Sequence, residues 1–156
     1  MKIIVKKILI ISSIIFLLMQ FYQPARNIGF EQNKTADFTK VYNVPKNVET
    51  ILLTSCYDCH SNNTNYPWYS NIQPARFFME SHIKEGKENL NFNEWGNYSF
   101  RKQNNKLDRI FKQIKSNEMP LASYTLIHKN AVLDATEKNE VLDWINKIED
   151  SISLQN

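Results

Sequence analysis

The chain has 156 residues, 42% of them hydrophobic and 22% charged, which fits one small domain and excludes a large multidomain enzyme. Three glycines, five prolines and no internal repeat exclude a collagen-like, low-complexity or solenoid chain. The formal charge of +3 matches Lys2, Lys6 and Lys7, all ahead of the first apolar run; the remainder is neutral, so nucleic acid is not an expected partner.

Those lysines precede an apolar run from Ile8 to Met19, the layout of a charged segment followed by an export or anchoring helix. Counted to Tyr22 the run spans ~22 Å as a helix, short of a ~30 Å hydrocarbon core, unless Lys6 and Lys7 snorkel and the span extends back to Ile3. Gln20-Phe21-Tyr22-Gln23-Pro24 offers no small-residue cleavage site. The expectation is a membrane anchor or signal segment over 1–22, with the rest of the chain outside the cytoplasmic membrane. A retained segment gives a single-pass inner-membrane protein and a cleaved one a periplasmic protein. Residues 23–44 read as a polar tether with nothing to build a core, and 45–150 as the folded domain.

Within that domain the periodicity is helical and no strand pattern appears, so the expected fold class is all-α. Val48, Ile51, Leu52 and Ser55 share one face of a helix that opens near Pro45. A second helix is predicted from Pro74 to Glu85, stopped by Gly86. Its Ala75, Phe78, Met79, His82 and Ile83 face inward, and Arg76, Glu80 and Lys84 face water. Between Asn104 and Lys115 an apolar stripe of Leu107, Ile110, Phe111 and Ile114 leaves Lys106, Asp108, Arg109 and Lys112 for solvent. The last helix opens at Asp134 with Glu137 as a capping box and buries Val141, Trp144, Ile145 and Ile148.

Both cysteines fall in Cys56-Tyr57-Asp58-Cys59-His60, the C-x-x-C-H spacing of c-type haem attachment. Two thiols one helical turn apart can add to the two haem vinyl groups, and the next residue, His60, then ligates the iron. A thioredoxin-like redox pair expects a βαβ surround, a zinc site about four ligands, and a Cys56–Cys59 disulfide would close a tiny loop. One covalent haem c per chain is the reading these residues favour.

A second axial ligand must come from Met79, His82, Met119 or His128. Met119 precedes Pro120, which stiffens the loop that would present its thioether. His82 reads as a core histidine, and His128 as a residue that orients the Met119 loop. Tyr66-Pro67-Trp68-Tyr69 and Trp95 read as rings that fill core space around an awkward loop.

Taken together, Cys56–Asn62, Tyr66–Ser70, Glu85-Gly86-Lys87, Leu90–Trp95, Glu118–Leu121, Tyr124–His128 and Trp144 resemble the bacterial haem-binding domain family. This is a cytochrome c-like group of membrane-anchored exported proteins, and the resemblance runs in order over about residues 45–148. It implies a helical domain wrapped around one haem, with His60 proximal and Met119 distal. Asn93 stands where serine is common and Phe77-Phe78 where tryptophans are common. An iron with His60 and Met119 on its two faces suits one-electron transfer with redox partner proteins and not catalysis. The alternative, a haem peroxidase or gas or redox sensor, needs an open distal position. A monomer is expected.

Overall fold

The computed structural model describes residues 1–29 and 36–153; residues 30–35, part of the expected tether, lie outside the described residues. Among the described residues eight α-helices follow one another: α1 (Lys2–Met19), α2 (Phe38–Val41), α3 (Lys46–Ser55), α4 (Tyr57–His60), α5 (Ala75–Asn89), α6 (Phe100–Lys115), α7 (Ala122–Thr125) and α8 (Ala135–Ser153). Three 3-10 turns, Trp68–Asn71, Phe92–Asn97 and Lys129–Ala131, connect them. Among the described residues there is no strand, only an isolated antiparallel bridge between Ile28 and Asn63, so the fold is all-α.

Helices α3, α6 and α8 build the core, each for the reason its periodicity gives. Val48, Ile51, Leu52 and Ser55 of α3 are buried, as are Leu107 and Ile114 of α6 and Val141, Trp144 and Ile145 of α8. Helix α8 opens with the expected reciprocal cap: Glu137 N–H donates to Asp134 Oδ1 (2.8 Å), and Asp134 N–H donates to Glu137 Oε2 (3.0 Å). Helix α6 ends at Lys115, and two residues on Asn117 takes a left-handed φ of 59°. The short amide side chain tolerates that conformation, and the turn sends Glu118 and Met119 N–H back to Gln113 O.

The centre of this core is Phe38, 1% exposed, with Trp95 (4.6 Å, edge-on), Phe92 (5.1 Å), Tyr42 (5.3 Å) and Trp144 (5.4 Å) around it. Phe38 and Tyr42 lie in the stretch read as a tether without core-building residues; that expectation is corrected. Asp37 caps α2 through Thr39 N–H (2.9 Å), and α2 delivers Phe38 into an aromatic cage of Tyr42 and of Phe92, Trp95 and Trp144, the last three distant in sequence.

The earlier part of the supposed tether is also fixed. Asn27 N–H donates to Tyr66 Oη (2.5 Å), Asn27 Nδ2 donates to Ser61 O (2.9 Å) and Thr64 Oγ1 (3.0 Å), and Lys87 Nζ donates to Asn27 Oδ1 (2.6 Å). Arg26 lies over the Tyr66 ring at 4.8 Å, and Gly29 N–H donates to Asn62 O (2.8 Å). Residues 20–29 therefore form a strap across the segment that follows the cysteines. Its upstream end is Gln20, which exchanges side-chain hydrogen bonds with the Gln73 backbone (3.0 and 3.3 Å).

That strap rotates the packed face of α5 away from the predicted one. Arg76 donates to Gln23 and Pro24, and Glu80 and Ile83 are buried beside the strap, while Phe78 and His82 are exposed. The inward orientation expected of His82 is thus corrected, and so is the solvent-facing role expected of Glu80. Gly86 does not stop the helix: α5 continues to Asn89. Its glycine is needed because a Cβ there would sit 2.8 Å from Cys59 O, so α5 and α4 could not pack as closely with any other residue.

Every residue of α1 is exposed. Among the described residues no helix is long and apolar enough to cross a membrane. The 18 residues of α1 reach ~27 Å and include three lysines at one end, which leaves the expected membrane-crossing span incomplete.

Candidate functional site

The two thiols and His60 lie on one turn. Cys56 ends α3 and begins α4, so the backbone of α3 runs directly into Tyr57–His60, with His60 N–H donating to Cys56 O (3.0 Å). Tyr57 between them stacks flat on Phe92 at 4.8 Å and 3°, and its hydroxyl donates to Asp37 (3.3 Å), which pins the turn to the aromatic core. Both cysteines are free and half-buried. Burial pushes the Cys56 thiol up to about 12 and the Cys59 thiol up to about 11, the reverse of the depressed value a thiolate nucleophile needs. Among the described residues there is also no strand, so the βαβ surround of a thioredoxin-like pair is missing. Among the described residues no group of three or more His, Cys, Asp or Glu could hold a metal ion, so a zinc site lacks its ligand set.

His60 is oriented by α5. Its Nδ1 lies 2.9 Å from Gly86 O and 3.1 Å from Leu90 O. Both partners are carbonyls and can only accept, so Nδ1 carries the proton and Nε2 carries the lone pair. Burial favours the neutral ring, lowering its pKa below the ordinary value against the smaller opposing effect of those two carbonyls. A neutral imidazole fixed through Nδ1–H to backbone carbonyls is the standard arrangement of a metal-ligating histidine. Gly86 thus serves twice, once by lacking a Cβ against Cys59 and once by its carbonyl.

Asp58, between the cysteines, organises the other side. It accepts from Tyr124 Oη at Oδ2 (2.7 Å) and from Asn65 N–H at Oδ1 (3.1 Å), while its carbonyl accepts from Thr64 Oγ1 (2.6 Å). Tyr124 stacks on His128 at 4.2 Å, and Tyr69 Oη is 2.6 Å from His128 Nε2. Burial and the neighbouring Asp58 carboxylate both push the Tyr124 phenol well above its ordinary value, so it stays a donor. His128 therefore joins the loop after Met119 to the Trp68–Asn71 turn. Met119 is half-buried between α6 and α7, and its backbone N–H is held by Gln113 O (3.2 Å). Its loop is braced from α8, where Lys138 Nζ donates to Asn117 Oδ1 (2.7 Å) and Lys115 O (3.1 Å).

The aromatic residues divide. Trp95 is fully buried, as expected of a core ring, but Trp68 is 76% exposed and does not fill the core. It lies against Tyr69, and Leu126 and Ile127 beside His128 are also exposed. Asn93 does more than cap: its Nδ2 donates to Asp37 (2.6 Å) and its Oδ1 accepts from Asn62 N–H (2.7 Å), a bridge that a serine is too short to make in the same way. Asp58, Tyr124 and Asn27 have no separate role among the sequence expectations, and Lys106 is placed there in solvent. The only signal available was that Tyr124 and His128 stand four apart, a spacing that places two side chains on one face of a helical turn.

Two half-buried thiols one turn apart and an adjacent neutral histidine with its lone pair on Nε2 are the donor set of a haem-binding protein. The sequence profile of the haem-binding domain family matches residues 14–147, and the chain belongs to that family. No curated protein and no solved structure matches the chain.

Proposed function

We propose that this protein is a membrane-attached c-type monohaem electron carrier whose haem domain faces the periplasm and exchanges single electrons with partner proteins. The observation that carries the reading is the pair of carbonyls, Gly86 O and Leu90 O, that holds the His60 ring by Nδ1 one residue beyond Cys59. Haem, when bound, supplies a one-electron iron couple. Cys56 and Cys59 would hold it by adding their S–H bonds across its two vinyl groups, which consumes protonated thiols and needs no oxidant. His60 Nε2 and the Met119 thioether, the latter on a loop fixed by Gln113 and Tyr124, would hold the iron. An iron so held would suit electron transfer and not catalysis. Exposed Trp68, Leu126 and Ile127 offer apolar surface for the macrocycle or a partner.

Helix α1 supports membrane attachment. Its apolar surface is wholly exposed, and the lysines lie at the end remote from the domain, where their stems can reach the headgroups.

The test is expression of the full chain with a cytochrome c maturation system. Haem that stays with the polypeptide after acid-acetone extraction, in a ferrous protein whose spectrum carbon monoxide does not change, is expected. Complete extraction overturns covalent attachment, and a large carbon monoxide shift favours a peroxidase or sensor with an open distal face.

A further inference from the structure

Lys106 was expected in water on the polar face of α6. It is instead 8% exposed, and its Nζ donates to Asn89 O at the C-terminal end of α5. Among the described residues the ion pairs are Lys46–Glu49 and Lys112–Asp108, so Lys106 has no carboxylate partner. The ammonium lies 5.0 Å from the centre of the Tyr98 ring, whose hydroxyl approaches Asn91 N (3.1 Å) and O (3.3 Å). Lys102, over the same ring at 4.2 Å, and Arg109 add positive charge and no compensation.

An unpaired cation is rarely left buried, because the loss of hydration is only partly offset by one carbonyl and a ring face. Its position explains why it is useful here. Asn89, to whose carbonyl it is bound, stands in sequence between Gly86 and Leu90, whose carbonyls hold the His60 ring. The negative end of α5 thus meets a full positive charge at one carbonyl and the His60 imidazole at two others of the same turn.

We propose that Lys106 is a potential-setting residue: its buried charge, set behind His60 on the last turn of α5, makes the ferric state less favourable and raises the haem potential. The physics is Coulombic. Oxidation adds one positive charge at the iron, and a fixed cation in a poorly screened interior opposes it. This inference rests on the haem reading above and adds a residue to it that the C-x-x-C-H motif does not indicate.

The experiment is equilibrium redox titration of the full-length haem-loaded protein against Lys106→Met, Lys106→Gln and Lys106→Arg, with thermal unfolding of each. Glutamine keeps a donor for Asn89 O without the charge, and arginine keeps the charge. The expected result is that Met and Gln shift the ferric-to-ferrous ratio at a fixed potential about tenfold toward ferric, ~59 mV for a one-electron couple, whereas Arg leaves it within twofold. A fall with Met but not with Gln shows that Lys106 acts as a cap and not as a charge, and overturns the proposal, as does an unchanged potential in all three. Parent protein that takes up no haem refutes the underlying reading instead, and is recognised by the missing Soret band.

Discussion

The Tyr124 hydroxyl donates to the Asp58 carboxylate at 2.7 Å, so the loop carrying Met119 is tied to the residue between the two cysteines. This bond adds to those from Gln113 O and Lys138, and it matters because α7 spans only Ala122–Thr125 and buries none of its residues. Tyr124→Phe is expected to cost about 1.5 kcal/mol, because the acceptor is charged and loses its donor. It should also release the loop, seen as faster carbon monoxide binding to the ferrous protein with the haem still attached. Equal rates in variant and parent would show that Asp58 does not govern the distal side.

Met119 and His82 are separated by their surroundings. His82 is exposed on α5, whereas Met119 is half-buried with its backbone held by Gln113. Met119→Ala is expected to abolish the weak far-red band of the ferric spectrum and to lower the potential, and His82→Ala to leave both in place. A high-spin iron in His82→Ala with no change in Met119→Ala would make the site bis-histidine.

At Gly86 the obstacle to a side chain is backbone oxygen and not a flexible tip, so the clash has no cheap relief. Gly86→Ala gains helix propensity of up to ~1 kcal/mol but must part α5 from α4, and a net loss of about 1–2 kcal/mol is expected. Because the same carbonyl holds His60, haem incorporation should fall as well. Calorimetry and the haem-to-protein ratio measure the two effects, and a more stable variant would contradict the close packing.

Glu80 supplies a pH dependence of known sign. Burial raises its carboxyl above the ordinary 4.5, with Tyr66, Arg76 and Arg26 acting the other way. The folded state then binds this proton more tightly than the unfolded state, so stability falls as pH rises from the ordinary value through the raised one. Glu80→Gln removes that loss. In urea melts its stability relative to the parent should be higher at pH 7 than at pH 4, and a pH-independent difference would show that Glu80 titrates normally.

Helix α1 is expected to hold the full chain in liposomes through sodium carbonate extraction, while a chain beginning at Gln20 should remain in solution. The same truncation leaves the bonds from Gln20 to Gln73 available and tests attachment apart from folding. Release of the full chain by carbonate would limit α1 to a peripheral or signal role.

What could be read from the sequence is what depends on near neighbours. The faces of α3 and α8, the apolar stripe of α6, the Asp134–Glu137 cap and the Cys56–His60 turn all follow from spacings of three or four residues, because helical geometry alone brings those side chains together. Tertiary structure decided the rest. Phe38 became the centre of the core because rings from Phe92, Trp95 and Trp144 meet around it, and no local pattern announces such a meeting. His82 and Glu80 exchanged their expected exposures because a strap distant in sequence covers the other side of α5; periodicity gives the stripe of a helix but not its neighbour. Lys106 was drawn inside for the same reason: a long aliphatic stem can be buried wherever its charge finds a carbonyl and a ring, and here Asn89 at the end of α5 supplies the one and Tyr98, ahead of α6, the other.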